Sequence, residues 1–223
     1  GLVFATGVLI GSSLDMMNRS FFRAAVLAAL FPVSLSCSAF AQTASVQLRP
    51  ADQGWVSRIE DTLGKVTTLQ AHFRQTAADG SVTTGTATLD RPGRMRFDYD
   101  KPSPLLLVAN DGRVVFQDRS VDQVTTLPLD RTPLGLLLRP EFKLSGDVTV
   151  TGFEHRDGQI RIQLVRTQSA GEGSLTLVFS DAPLALEGWS VMDAQGRTTT
   201  IALSDVHLGG DVPQSLFVLP KAD

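Results

Sequence analysis

The residue types that carry most acid–base and metal chemistry are sparse in this sequence. The 223-residue chain has three histidines, His72, His155 and His207, which are too widely separated for a paired ligand motif such as H-x-x-x-H. Many aspartates stand next to glycine, as in Asp111-Gly112, where a tight turn alone explains them. The sequence contains no G-x-S-x-G elbow and no Walker-type loop. It therefore predicts a protein that is not an enzyme and has neither a metal site nor a cofactor.

The single cysteine, Cys37, offers one other kind of chemistry, the attachment of a lipid. A lipoprotein signal calls for leucine or a similar residue three positions before the cysteine, and this chain has Ser34 there. Simple cleavage beyond Cys37 is therefore favoured over lipidation. A mature chain without cysteine suits an oxidising compartment such as the bacterial periplasm.

The segment around Cys37 has the order of a secretory signal. From Met17 the chain reads MNRSFFRAAVLAALFPVSLSCSAFAQ, a positively charged start, an uncharged apolar run and small residues before Gln42. We predict a signal peptide over residues 17–41, cleaved after Ala41, with export to the periplasm. An uncleaved membrane anchor is the alternative, because residues 24–41 are about long enough to span a bilayer. Residues 1–16 are interpreted as a mis-set start or a fragment end.

The charge and aromatic content of the chain limit the kinds of partner that it could bind. The formal net charge is −3 and aromatic residues make up only 7% of the chain. A nucleic-acid partner is not expected, because phosphate binding needs a concentrated basic surface. With 43% hydrophobic residues, residues 42–223 are expected to form a single domain, and the protein is expected to be a monomer.

Hydrophobic spacing predicts one helix followed by a long series of strands. Residues 55–66 carry apolar side chains at helical spacing, with Asp52 as the expected N-cap. From Leu69 onward the period changes to two, and Asp-Gly turns recur between the runs. Ten or eleven short strands joined by tight turns predict a large antiparallel sheet, a mainly β fold with a few helices.

One segment, DRTPLGLLLRPEF, interrupts the strand pattern. Thr132 is the expected N-cap of a short helix and Pro133 its first residue. Four leucines crowd the next positions, Leu134, Leu136, Leu137 and Leu138. A helix this short and apolar is expected to lie on the apolar face of the sheet as a lid.

The surplus of inward-facing apolar residues has two interpretations. Covered by two short helices, a concave apolar face suits an acyl chain, because each buried methylene contributes about 0.8 kcal/mol. A fully packed core is the other interpretation, and composition favours neither of the two.

The order of several motifs resembles one family, the bacterial outer-membrane lipoprotein carriers called LolA. The resemblance runs from about Trp55 to Pro220. Its matching parts are Phe73 and Gln75, Gly85, the Arg91-Pro92 turn, Phe97 and Tyr99, Pro102, the NDGRVVF hairpin, Thr132-Pro133 and the final FVLP.

The resemblance implies a strongly bent antiparallel sheet that forms a half-open β-barrel, lidded by short helices. It implies a carrier that takes acylated lipoproteins from an ABC-type release complex in the inner membrane. The carrier would shield their acyl chains across the periplasm and pass them to an outer-membrane receptor. The transporter supplies the energy, so the carrier needs no cofactor.

By the same resemblance, Arg91 matches the family arginine that latches the sheet to the lid. A buried guanidinium needs acceptors, and carbonyl groups of the lid helix are expected to supply them. A surface arginine capping a turn is the alternative. The remaining candidates for the lipid-binding cavity are Met95, Phe97, Tyr99, Leu175, Leu177, Phe179, Trp189 and Val191, together with Leu137 and Leu138 of the lid.

Three other functions stay open at the sequence level. A LolB-like outer-membrane lipoprotein receptor has a similar fold but would carry a lipid on Cys37. A periplasmic module of the same fold that senses lipoproteins or lipids would be favoured by a second domain, which the sequence does not show. A secreted hydrolase would need a clustered acid–base set, and none is evident.

Overall fold

A computed structural model describes residues 44–221 as one α-helix, eleven β-strands and four short 3-10 helices. Helix α1 spans Pro50–Gly64. The strands are β1 Thr68–Thr76, β2 Val82–Asp90, β3 Arg94–Tyr99, β4 Leu105–Asn110, β5 Arg113–Asp118, β6 Gln123–Pro128, β7 Val148–Arg156, β8 Gln159–Arg166, β9 Gly173–Asp181, β10 Leu184–Asp193 and β11 Thr198–Leu208. The 3-10 helices are Leu129–Arg131, Pro133–Leu136, Ala170–Glu172 and Gln214–Phe217. The predicted signal peptide and Cys37 lie outside the described residues.

All eleven strands belong to one curled antiparallel sheet with the order β6-β5-β4-β3-β2-β1-β11-β10-β9-β8-β7. Neighbouring strands are also consecutive in sequence, except at the centre, where β1 pairs with β11. Strands β6 and β7 are the two edge strands, and residues 129–147 connect one edge to the other. The predicted bent antiparallel sheet with short covering helices is confirmed.

The period-two pattern of the sequence decides which face of the sheet is buried. In β3, Met95, Phe97 and Tyr99 are buried, whereas the alternate residues Arg96 and Asp98 are partly exposed. The buried faces of both halves of the sheet join one apolar cluster, to which α1 contributes Ile59. The helix therefore covers the inner face of the sheet.

Helix α1 begins earlier than the sequence suggests. Pro50 occupies the first turn and Arg49 is the N-cap residue, so the prediction of Asp52 as the N-cap was wrong. Asp52 lies inside the first turn, where its carboxylate accepts hydrogen bonds from Arg49 Nε and Nη2 at 2.9 and 3.2 Å. Proline has a backbone angle that suits the first helical turn, and this sets the earlier start. No helix among the described residues is both long and apolar enough to cross a membrane.

The C-terminal segment covers the outer face of the sheet at β3 and β4. Phe217 is fully buried and forms a second, smaller apolar cluster with Leu106 and Val108 of β4. Arg96 Nη1 donates to the Leu216 carbonyl at 3.1 Å, which fixes the segment to β3. Strand β4 is thus buried on both faces, which explains its unbroken apolar run.

Gly85 is expected to be essential for the approach of three strands. It lies opposite Phe73 in β1 and Tyr99 in β3. A Cβ atom there would lie 2.0 Å from the Asp98 carbonyl oxygen and 2.7 Å from the Phe73 ring. We expect Gly85→Ala to lower the free energy of unfolding in urea denaturation by about 1–3 kcal/mol.

Gly54→Ala is the matched control, because nothing lies within 4 Å of a Cβ at this position in α1. Alanine in an open helical position should raise the free energy of unfolding by about 0.5–1 kcal/mol. Equal effects of the two substitutions would contradict the close approach at Gly85.

Candidate functional site

The predicted cavity residues meet on the inner face of the curled sheet. All of them are buried within one apolar cluster, together with the leucines of the predicted lid. The members from the sheet are Met95, Phe97, Tyr99, Leu175, Leu177, Phe179, Trp189 and Val191, and those from the lid are Leu134, Leu136, Leu137 and Leu138. The leucines of this segment pack directly against the sheet.

Aromatic rings form the centre of the interior. Phe73 makes edge-to-face contacts with Phe97 and Tyr99, with ring centroids 4.8 and 5.2 Å apart. Trp189 approaches Phe97 from the other half of the sheet at 6.1 Å. Sequence reasoning placed Phe73 only among the family matches and not among the cavity residues. Its position opposite Gly85 was the available signal, because a glycine facing an aromatic residue leaves room for the ring.

Two polar side chains inside the apolar cluster satisfy each other. The Tyr99 hydroxyl donates a hydrogen bond to Gln75 Oε1 at 2.8 Å, and both side chains are buried. Burial raises the pKa of the Tyr99 phenol, because a phenolate would be poorly solvated there. The pair introduces polarity into the interior without leaving a free charge.

Trp189 differs from the Tyr99–Gln75 pair, because its indole N–H group has no hydrogen-bond partner among the described residues. The residue is 0% exposed, and Nε1 has no hydrogen-bond acceptor among the described residues. Leaving a buried donor unpaired typically costs about 1–3 kcal/mol.

The lid begins as the sequence predicts. Thr132 caps the 3-10 helix Pro133–Leu136, and its Oγ1 accepts a hydrogen bond from the Gly135 N–H at 3.3 Å. Gly135 is tightly enclosed, because a Cβ there would lie 2.4 Å from the Leu129 carbonyl oxygen. The lid helix is a single tight turn whose four residues are all buried, so its position depends on contacts with the rest of the structure.

Arg91 links three parts of the structure at the far end of the lid. It follows β2 directly, and within residues 44–221 its guanidinium donates only to backbone carbonyl groups. Nη1 donates to Leu63 at the end of α1 and, at 3.1 Å, to Val66. Nε and Nη2 donate to the Arg139 carbonyl, just beyond the lid helix, at 3.3 and 3.0 Å.

The environment of Arg91 is unusual for a charged group. Only 7% of the residue is exposed, and no carboxylate among the described residues pairs with it. Burial lowers the pKa of its guanidinium, although arginine stays charged in proteins. The carbonyl groups at the end of α1 carry the negative end of the helix dipole, which favours the positive charge. The alternative of an exposed, turn-capping arginine does not describe this residue.

A second arginine, which sequence reasoning missed, contacts the opposite end of the lid. Arg166 ends β8, and its Nη2 donates to the Thr132 carbonyl at 3.2 Å. It also lines an open groove of about 720 Å³ beside Leu138 and Arg139. Arg91 directly follows β2 and Arg166 is the last residue of β8, so the signal that they share is an arginine where a strand ends.

The histidines are not brought together. His72 and His207 are exposed on the central strands. His155 Nε2 lies 2.8 Å from Asp181 Oδ2, and its ring meets Trp55 edge-on at 4.9 Å. Within residues 44–221, no group of three or more histidine, cysteine, aspartate or glutamate side chains could hold a metal ion.

A curled sheet with an apolar inner face, closed by a short helix held through hydrogen bonds, is typical of proteins that shelter apolar ligands. The family "Outer membrane lipoprotein carrier protein LolA" matches residues 64–220 of this chain. The chain belongs to this LolA family.

Relatives of known description agree with this assignment. An outer-membrane lipoprotein carrier protein from Methylococcus capsulatus is 31% identical over 170 residues, which cover 72% of this chain and 81% of that protein. The protein of the same description from Pseudomonas syringae pv. tomato is 31% identical over 189 residues, 80% of this chain and 90% of that protein. A LolA superfamily structure from Nitrosomonas europaea aligns with 73% of this chain and 97% of its own at 14% identity and a TM-score of 0.43.

The buried phenol gives a prediction on pH dependence that is specific to one residue, because Tyr99 is the only tyrosine. An unfolded tyrosine ionises near pH 10, and the raised pKa of the folded state means that the folded protein holds this proton more tightly. The stabilisation is therefore complete below about pH 10 and is lost as pH rises above that value. We expect no phenolate absorbance in the folded protein near pH 10.

The same titration in concentrated urea is the control, and phenolate should then appear near pH 10. Ionisation of the folded protein at the same pH as in urea would contradict the burial of Tyr99.

Proposed function

We propose that this chain is a periplasmic carrier that binds the acyl chains of lipoproteins beneath its lid. It receives them from an ABC-type release complex in the inner membrane and delivers them to a receptor in the outer membrane. One observation carries the proposal, the largely apolar inner face closed by a lid that Arg91 holds through hydrogen bonds to a backbone carbonyl group.

The apolar interior provides the driving force for uptake. An acyl chain with about fifteen methylenes gains about 12 kcal/mol on leaving water, at about 0.8 kcal/mol for each methylene. In the closed state the lid leucines occupy this face. Cargo must therefore displace them, and part of the gain is spent on exposing the lid.

Arg91 stabilises the closed state of the lid, and this state competes with lipid binding. Its hydrogen bonds to the Arg139 carbonyl hold the end of the lid, and each bond from a charged donor contributes about 1.5–3 kcal/mol. Opening the lid breaks these bonds, and closing the lid restores them. The arginine thus lowers the affinity for acyl chains and favours their release to a receptor.

The proposed partners are acylated lipoproteins as cargo, the inner-membrane release complex and the outer-membrane receptor. The carrier itself catalyses no reaction and acts as a monomer. Its signal peptide is cleaved after Ala41, so that the mature chain begins at Gln42.

The first test is mass spectrometry of the protein isolated from the cell envelope of its native host. We expect triacylated lipoproteins to copurify, because the apolar inner face has the chemistry to hold their chains. The intact mass should correspond to a chain that starts at Gln42 and carries no lipid.

Two other results would indicate a different function for this protein. An acyl group on Cys37 would indicate an outer-membrane receptor. Free lipid alone, with no lipoprotein, would indicate a sensor or a carrier of different cargo.

Arg91→Leu is expected to impair release more than uptake. The substitution removes the hydrogen bonds of the closed state and leaves the apolar face intact. A loss of about 1.4 kcal/mol in closed-state stability corresponds to a tenfold change in an equilibrium. We expect transfer of a loaded lipoprotein to receptor-bearing vesicles to fall about tenfold, while loading is retained.

Arg74→Leu is the matched control, because Arg74 is exposed on β1. This variant loses the same positive charge without touching the lid, so it should transfer at the normal rate. Normal transfer by the Arg91→Leu protein would rule out the latch.

A further inference from the structure

We propose that the indole N–H group of Trp189 binds the carbonyl oxygen of an acyl ester when a lipid occupies the space beneath the lid. This inference rests on the proposed function and deepens it. It assigns a polar contact inside an otherwise apolar binding face, and it predicts that the protein distinguishes acyl esters from plain alkyl chains.

The unpaired donor is the first observation. Trp189 is 0% exposed, and its Nε1 is buried without an acceptor among the described residues. Indole is a donor only, so it cannot pair with another donor. Native structures rarely leave such a group unpaired, and each instance calls for an explanation.

The position of Trp189 is the second observation. It lies opposite Leu177 of β9 and Ile201 of β11, on the inner face shared with Phe97. Trp189, the lid leucines and α1 share one apolar cluster, so the indole ring belongs to the proposed lipid site beneath the lid.

The backbone directly before Trp189 departs from regular strand geometry, which affects the direction of its side chain. Strand β10 has a register shift between Leu186 and Gly188, directly before Trp189. A bulge of this kind changes the direction of the side chains that follow it. Gly188 allows β11 to approach, because a Cβ there would lie 2.1 Å from the Ile201 carbonyl oxygen.

A carbonyl group is the acceptor that suits the indole N–H group of Trp189 in this interior. The other polar pair of this face, Tyr99 and Gln75, is joined by its own hydrogen bond. Trp189 therefore offers a donor whose nitrogen has no competing acceptor among the described residues. An ester or amide carbonyl is the acceptor that every acylated cargo brings next to its alkyl chain, whereas the chain itself offers none.

A pair of phospholipids that differ only in their linkage tests the proposal. Dipalmitoyl phosphatidylcholine has two ester carbonyls, and its dihexadecyl ether counterpart has the same chains and head group without them. We expect the wild-type protein to bind the ester lipid about fivefold more tightly, the size of one neutral hydrogen bond. Trp189→Phe keeps an aromatic ring and removes the N–H group, so this preference should disappear.

Nuclear magnetic resonance of the wild-type protein tests the contact without a substitution. The chain contains two tryptophans, Trp55 and Trp189, and Trp55 serves as the internal reference. We expect the indole proton of Trp189 to shift downfield on binding of the ester lipid and much less on binding of the ether lipid.

The outcomes separate this inference from the proposed function. Equal binding of the two lipids by the wild-type protein, or an ester preference that survives in Trp189→Phe, would overturn the role of Trp189 and leave the carrier function standing. Failure of the wild-type protein to bind either lipid or a triacylated lipopeptide would overturn both. Loss of the preference in the variant, with the downfield shift in the wild type, supports the inference.

Discussion

The closed structure depends on the hydrogen-bonding needs of one buried guanidinium group. Arg91 has no carboxylate partner among residues 44–221, so its donors must reach backbone carbonyl groups. Those carbonyls belong to the end of α1 and to Arg139 beyond the lid, and this places helix, lid and β2–β3 turn together. A neutral carbonyl acceptor also binds a guanidinium less strongly than a buried carboxylate would.

The topology explains why the lid covers the open side of the barrel. Strands β6 and β7 are the two edges of the curled sheet, and residues 129–147 connect them. The segment that crosses between the edges must therefore pass over the gap. Its four leucines bury the inner face there, while Arg166 holds its beginning and Arg91 its end. Residues 129–147 therefore both connect the two edge strands and contain the lid.

The interior combines a large apolar surface with a few polar groups, which differ in whether they are hydrogen-bonded. Tyr99 and Gln75 satisfy each other, so they add no cost to a bound alkyl chain. The indole nitrogen of Trp189 has no hydrogen-bond partner within residues 44–221. The chain belongs to the LolA family, and the proposed carrier function assigns the apolar surface to acyl chains and the unpaired indole to the ester that links them to their cargo.

The sequence by itself determined the elements whose signals are local. Alternation identified β3 with Met95, Phe97 and Tyr99 inward, and Thr132-Pro133 marked the start of the lid. Asp52 was misassigned as a cap because Pro50 started the helix earlier, a competition between two local signals. The tertiary structure alone decided the partners. Every residue has a backbone carbonyl, so no sequence signal singles out the acceptors of Arg91, and only the fold brings together groups distant along the chain.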